Sequence, residues 1–188
     1  MTTKTHPLTI GSLRRDLPLF EVKPGLRIAV LNILGDVELV EAACVELAPR
    51  LAEKSPHVLV TPEAKSIPLA CMLAARMRLP YVVLRKSCKS YMGEALSATT
   101  HSITTGANQT LYLDEKDRGL IQGARIAIVD DVVSTGSTLK GVRDLIALAG
   151  GEVVAEAAIC TEGDQANWKE VISLAHLPLF TDTHADGT

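Results

Sequence analysis

The sequence predicts an α/β fold in which a central, mostly parallel sheet is flanked by helices, and three observations carry this. Short apolar runs recur at residues 28–31, 58–60, 81–84, 126–129 and 153–160, as expected of strands buried on both faces. Segments with helical apolar spacing lie between them, at 37–51, 69–77 and 139–149. Polar loops carrying acidic, basic or hydroxyl residues follow the strands, at the edge where open α/β sheets bind ligands. At 188 residues the chain has enough length for one domain, residues 1–188, with a full core.

Taken in order, residues 1–21 lack a sustained period and are expected to form an N-terminal arm or short helix. The segment Val22-Lys23-Pro24-Gly25-Leu26 reads as a turn into the first apolar run. Asn32, Gly35 and Asp36 punctuate the chain before a helix whose apolar stripe is Val37, Val40, Ala43, Cys44, Leu47 and Leu51. The strand at 58–60 leads into Pro62-Glu63-Ala64-Lys65-Ser66, and Pro68 opens the next helix, where its missing N–H is tolerated. The strand at 81–84 ends in Arg85-Lys86-Ser87-Cys88-Lys89, three cations in five residues at the ligand edge of the sheet.

Residues 90–109 lose the core pattern and are rich in Ser, Thr, Gly and Ala, which is expected of a functional loop or lid. Glu94 and His101 are its ionisable groups. Residues 110–113 read as the returning strand and 114–123 as a polar turn. Gly150-Gly151 stops the helix at 139–149, and the apolar strand at 153–160 runs into Thr161-Glu162-Gly163-Asp164. Trp168 is expected to pack a C-terminal helix.

The run IAIVDDVVSTGST at 126–138 carries the chemistry. Asp130 and Asp131 are adjacent carboxylates that need hydroxyls, a metal or water around them. Ser134, Thr135, Gly136, Ser137 and Thr138 follow at a helix start, where N–H groups and hydroxyls form an anion site. Vicinal hydroxyls on one side and a phosphate on the other describe a ribose 5-phosphate. The run has neither Gly-Lys-Ser/Thr nor G-x-G-x-x-G, so it is no Walker A loop or dinucleotide fingerprint.

This run resembles the signature of the type I phosphoribosyltransferases, which bind 5-phosphoribosyl 1-pyrophosphate. The loop Glu63, Ala64, Lys65, Ser66 is similar to the pyrophosphate loop of the purine branch, with Ser66 where the family usually has Gly. The resemblance implies a non-proline cis peptide there, by analogy between Ala64 and Lys65. Arg85, Lys86 and Lys89 resemble the Arg-Lys-x-x-Lys segment of adenine phosphoribosyltransferases. Thr104 falls where adenine enzymes carry a catalytic Glu, and the segment resembles xanthine phosphoribosyltransferases about as well.

What the resemblance implies is a type I phosphoribosyltransferase fold with a flexible lid hairpin (90–109) and a small hood (22–36 plus 161–180). The reaction implied is transfer of the phosphoribosyl group to a purine base, adenine favoured over the 6-oxopurines, with Mg²⁺. Asp130 and Asp131 would be catalytic, holding the ribose hydroxyls and touching metal indirectly. Residues 134–138 would hold the 5-phosphate, Glu63, Ala64, Lys65, Ser66, Arg85, Lys86 and Lys89 the pyrophosphate, and Leu26, Arg27, Thr104 and Glu162 would border the base. A homodimer is the family default.

A phosphoribosyl pyrophosphate-sensing regulator is the reading from another class. Such regulators add a DNA-binding domain, and about twenty residues before the fold are too few for a winged helix. The net charge of −3 supplies no basic excess for nucleic acid. No apolar run approaches a membrane span and no leader pattern is visible, so a cytoplasmic protein is expected. Cys44, Cys71, Cys88 and Cys160 lack C-x-x-C spacing and read as reduced core thiols.

Overall fold

The computed structural model describes residues 4–101 and 108–181. Five parallel strands form the main sheet: β4 (Val58–Pro62), β5 (Tyr81–Leu84), β8 (Arg125–Val133), β9 (Glu152–Glu162) and β10 (Ile172–Leu177), in the order β10-β9-β8-β4-β5. The central strand shows why its apolar run is unbroken. Ala127 and Val129 join the core under helices α1 (Val37–Ala52) and α2 (Ile67–Met77), while Ile126 and Ile128 join the core under α4 (Ser137–Leu148). All four are fully buried. Residues of period two therefore feed two cores, one on each face of the sheet.

The register of β8 creates the site. On one side it pairs with β9 as far as Val133↔Thr161, but on the other its pairing with β4 ends at Val60↔Ile128. Beyond that pair β8 and β4 part, and the crevice between their C-terminal ends receives the loops that follow each strand. Asp130 and Asp131 thus lie within β8 rather than beyond its end.

The N-terminal residues differ from the expectation of an arm or short helix. They form an antiparallel pair, β1 (Thr5–Ile10) and β2 (Leu13–Lys23), continued by β3 (Leu26–Ala29) and the short β11 (Phe180–Thr181) into a four-stranded sheet. Gly25, at φ +75°, turns β2 into β3, its N–H donating to Glu21. The small sheet takes in the strand at 26–29, expected in a hood, together with residues 5–21; of the C-terminal part assigned to the hood, residues 172–177 belong to the main sheet instead. Among the described residues no helix follows β9 beyond a 3-10 turn, Gln165–Trp168, which Trp168 closes. Strands β6 (Leu96–His101) and β7 (Asn108–Leu113) pair antiparallel, and a single helical turn, α3 (Arg118–Ile121), leads into β8. Thr104 lies outside the described residues.

Helix α1 buries Leu39, Val40, Ala43, Cys44, Leu47, Ala48 and Leu51. Val37, expected on that stripe, is exposed at the first turn, and Leu39 is buried instead. Cys44 and Cys160 are core thiols pushed up by burial to about 11 and about 12, whereas Cys71 and Cys88 are exposed, against the expectation of four core thiols. No helix among the described residues is long and apolar enough to cross a membrane.

Asp36 ties the hood to the main domain. Its carboxylate caps α1 by accepting from Leu39 N–H at 3.1 Å and accepts both Nε and Nη2 of Arg15, in β2, at 2.8 and 2.9 Å. The Arg15 guanidinium holds this carboxyl below its ordinary range. A carboxyl lowered in the folded state stabilises it above the unfolded pKa, and loses that contribution as pH falls through the lower folded value. Asp36→Ala is expected to remove about 1–2 kcal/mol at pH 7. Urea unfolding at pH 7 and pH 3 checks this: the gap from wild type narrows at the lower pH.

Candidate active site

Three clefts meet at the C-terminal end of β8. The first, about 90 Å³, is lined by Asp130, Val132, Val133, Ser134, Thr135, Gly136, Thr138 and Leu139. Helix α4 starts at Ser137, two residues before the apolar period does, so Ser137 and Thr138 occupy its first turn. Their N–H groups belong to the set that finds no intrahelical partner, and with the helix dipole they make an anion cradle. Gly136 caps the helix at φ +74°, a conformation glycine adopts without strain. Its Cβ position is occupied from the other side: a methyl there would lie 2.9 Å from Cη2 of Trp168. Trp168 Nε1 donates to the Glu162 carbonyl at 2.9 Å, so the indole buttresses the cradle from behind. Sequence reasoning missed this role, since nothing in the spacing of Gly136 and Trp168 signals contact.

Asp130 and Asp131 stand beside the cradle, 8% and 9% exposed. Burial and then the neighbouring Asp131 charge raise Asp130 to about 7. Asp131 N–H donates to the Asp130 carboxylate at 2.9 Å, which offsets part of the repulsion. Two hard oxygen donors under mutual repulsion in a low-dielectric crevice are a place for a cation or for hydroxyl donors. Among the described residues no group of three or more His, Cys, Asp or Glu could hold a metal. The carboxylate pair itself would suit Mg²⁺, which keeps several waters and takes one or two carboxylates beside substrate oxygens.

The second cleft, about 230 Å³, opens on the other side of the acidic pair and is lined by Pro62, Glu63, Ala64, Lys65, Ser66, Lys86, Asp130, Asp131, Val132 and Thr138. The expected pyrophosphate residues divide here. Lys65 and Lys86 line the cleft; Arg85 and Lys89 do not. Arg85 is paired with Glu63 at 3.1 Å and donates to Tyr91. Glu63 accepts Lys86 N–H at 2.9 Å, and this bond, with help from Arg85, lowers its pKa. Glu63 therefore orders the loop after β5. Ser66 is buried, accepts from Thr61 Oγ1 and donates to the Pro62 carbonyl. At φ −79° it needs no glycine, so the departure from the family pattern is accommodated. The cis peptide joins Glu63 and Ala64, one residue before the expected position.

The third cleft, about 220 Å³, lies between β8 and the hood and is lined by Ile28, Ala29, Val30, Leu31, Lys65, Asp131, Val132, Ser134 and Glu162. Of the expected base-bordering residues, Glu162 is present; Leu26 and Arg27 sit farther along β3, opposite Thr181 and Phe180, and the chain that follows them lines the cleft. Ser134 Oγ donates to Glu162 at 2.6 Å, so its proton is not available to a phosphate. The chain thus brings together an anion cradle, an acidic pair, a cleft with two lysines and a mixed cleft under the hood.

Comparison with known proteins identifies the family of the chain. Residues 31–175 match the family described as phosphoribosyl transferase domain. A xanthine phosphoribosyltransferase of Chloroflexus aurantiacus is 33% identical over 159 residues, covering 81% of this chain and 74% of that one. An adenine phosphoribosyltransferase of Lactobacillus gasseri is 30% identical over 128 residues, 68% of this chain and 70% of that one. The crystal structure of an adenine phosphoribosyltransferase from Thermoanaerobacter pseudethanolicus shares the fold, with a TM-score of 0.71 at 22% identity over 85% of this chain and 95% of that one. By its signature strand, its cradle and its relatives, the chain belongs to the phosphoribosyl transferase domain family, among the purine phosphoribosyltransferases.

Proposed function

We propose that the protein transfers the 5-phosphoribosyl group from phosphoribosyl pyrophosphate to adenine, giving a nucleoside 5′-monophosphate and pyrophosphate in purine salvage. The observation that carries this is the buried pair Asp130–Asp131, set between the cradle at 135–138 and the cleft bearing Lys65 and Lys86. A ligand filling all three clefts presents a 5-phosphate to the cradle, ribose hydroxyls to the carboxylates and pyrophosphate to the lysines. Its C1 then faces the cleft under the hood, where the base binds.

The protein's own work in this reading is positioning. Cradle binding fixes the ribose, so that binding energy remote from C1 orients the reacting centre. The carboxylates accept the ribose hydroxyls and stabilise positive charge growing at C1. Lys65 and Lys86 neutralise the departing pyrophosphate. Asp130 and Asp131 would hold Mg²⁺ at the site, and the metal would supply further neutralisation of the leaving group. The β6–β7 hairpin is read as a lid that excludes water. A homodimer acting in the cytoplasm completes the proposal.

Adenine is favoured because Ser134 and Glu162 give the base cleft acceptors that suit its amine and ring N–H. A 6-oxopurine is the second reading, favoured by Lys65, a donor bordering the same cleft. An assay with phosphoribosyl pyrophosphate against adenine, hypoxanthine, guanine, xanthine and orotate decides between them. Adenine turnover is expected, abolished by EDTA and restored by excess Mg²⁺. Saturable phosphoribosyl pyrophosphate binding without turnover of any base would replace the enzyme by a sensor.

The acidic pair also sets a stability expectation. Asp130→Asn relieves a buried repulsion, so without ligand its Tm is expected to rise, by about 2–4 °C for each kcal/mol relieved. The same change with Asp131→Asn is expected to lower kcat/KM by about 10²-fold or more. Calorimetry and the assay together check that the loss of activity is not a loss of fold.

A further inference from the structure

One buried polar contact in the base cleft has chemistry beyond lining it. Ser134 Oγ donates to Glu162 Oε1 at 2.6 Å, a short hydroxyl–carboxylate bond. Glu162, at the end of β9, is 7% exposed. It is held independently of Ser134, because its carbonyl accepts Trp168 Nε1 and its neighbour Thr161 bonds His176. Both Ser134 and Glu162 line the base cleft, and Ser134 also lines the phosphate cradle. A residue at that junction meets the part of the base nearest the ribose, which is the imidazole ring. With its proton committed to the carboxylate, Ser134 Oγ turns lone pairs toward the cleft.

We propose that Ser134 and Glu162 are the proton-accepting pair for the purine base, an inference that rests on the reading of the site given above. Ser134 is the catalytic residue in contact with N7, and Glu162 is a positioning residue that acts through it. The base enters as its N7–H tautomer. The N9 lone pair forms the N9–C1 bond while the bond from C1 to the pyrophosphate oxygen breaks, and pyrophosphate leaves with that electron pair. The imidazole ring, now cationic, gives its N7 proton to Ser134 Oγ as the Ser134 proton passes to Glu162 Oε1. The nucleotide leaves with a neutral base, and Glu162 returns its proton to water. Of the other carboxylates at the site, Asp130 and Asp131 are assigned to the ribose in that reading, and Glu63 is engaged with Lys86 N–H and Arg85.

Steady-state kinetics of Glu162→Gln, Ser134→Ala and the double variant test this, with the base that the wild type uses. Each single change is expected to lower kcat by about 10²-fold or more, as loss of general-base chemistry does. The double variant is expected to be no slower than the singles, and KM for phosphoribosyl pyrophosphate to stay within about two-fold, because the pair acts as a unit on a step after binding. A bond that merely stitched the cradle to β9 would raise that KM and leave kcat. Should Glu162→Gln misfold, Ser134→Ala, which removes one loop hydroxyl, carries the test. An active wild type with variants within about three-fold of its kcat overturns the pair alone. A wild type inert toward every purine overturns the functional reading, and the pair with it.

Discussion

Two carboxylates buried side by side are the constraint on which the rest of this structure depends. Asp130 and Asp131 sit inside β8, where burial and mutual repulsion raise the first to about 7. Such a pair is a standing destabilisation unless something rigid holds it and something polar or cationic meets it. The rigid part is the sheet: β8 is flanked on both faces by cores and keeps its pairing to β9 past the acidic residues. In the proposed function the polar part is the ligand, whose ribose hydroxyls and hydrated cation would relieve the repulsion on binding.

The loops around the pair follow from where strands part. Once β4 leaves β8 after Ile128, three connections converge on the opening, those after β4, β5 and β8. They divide the work by charge. Glu63 spends its carboxylate on the loop after β5, leaving Lys65 and Lys86 as the cations that border the cleft. Arg85, the most prominent cation in the sequence there, is a structural partner of Glu63. From the other side Trp168 packs on Gly136, so the C-terminal end of β9 stiffens the cradle and, through Glu162, borders the cleft between β8 and the small sheet.

Much of this was legible in the sequence because it is local. The apolar run of β8, the acidic pair and the glycine and hydroxyls of 134–138 form one contiguous segment, and its strand-to-helix change needs no tertiary information. What escaped was long-range or weakly periodic. Ser134 meets Glu162 across 28 positions, and no spacing announces that bond. The hairpin of β1 and β2 buries Leu8, Ile10 and Leu17, but Pro7, Pro18 and charged neighbours break its alternation, so residues 1–21 read as an arm. Val37 matched the helical stripe yet stands exposed in the first turn of α1. Arg15 became informative only once β2 placed it on the Asp36 cap.

The most direct measurement is a crystal structure with the nucleoside 5′-monophosphate of the accepted base, because it reads all the subsites at once. The expected result places the phosphate on the N–H groups at 135–138, the ribose hydroxyls on Asp130 and Asp131, and the base between Val132 and the chain at 28–31. A nucleotide bound with its phosphate away from α4, or with its ribose clear of both carboxylates, would contradict the account.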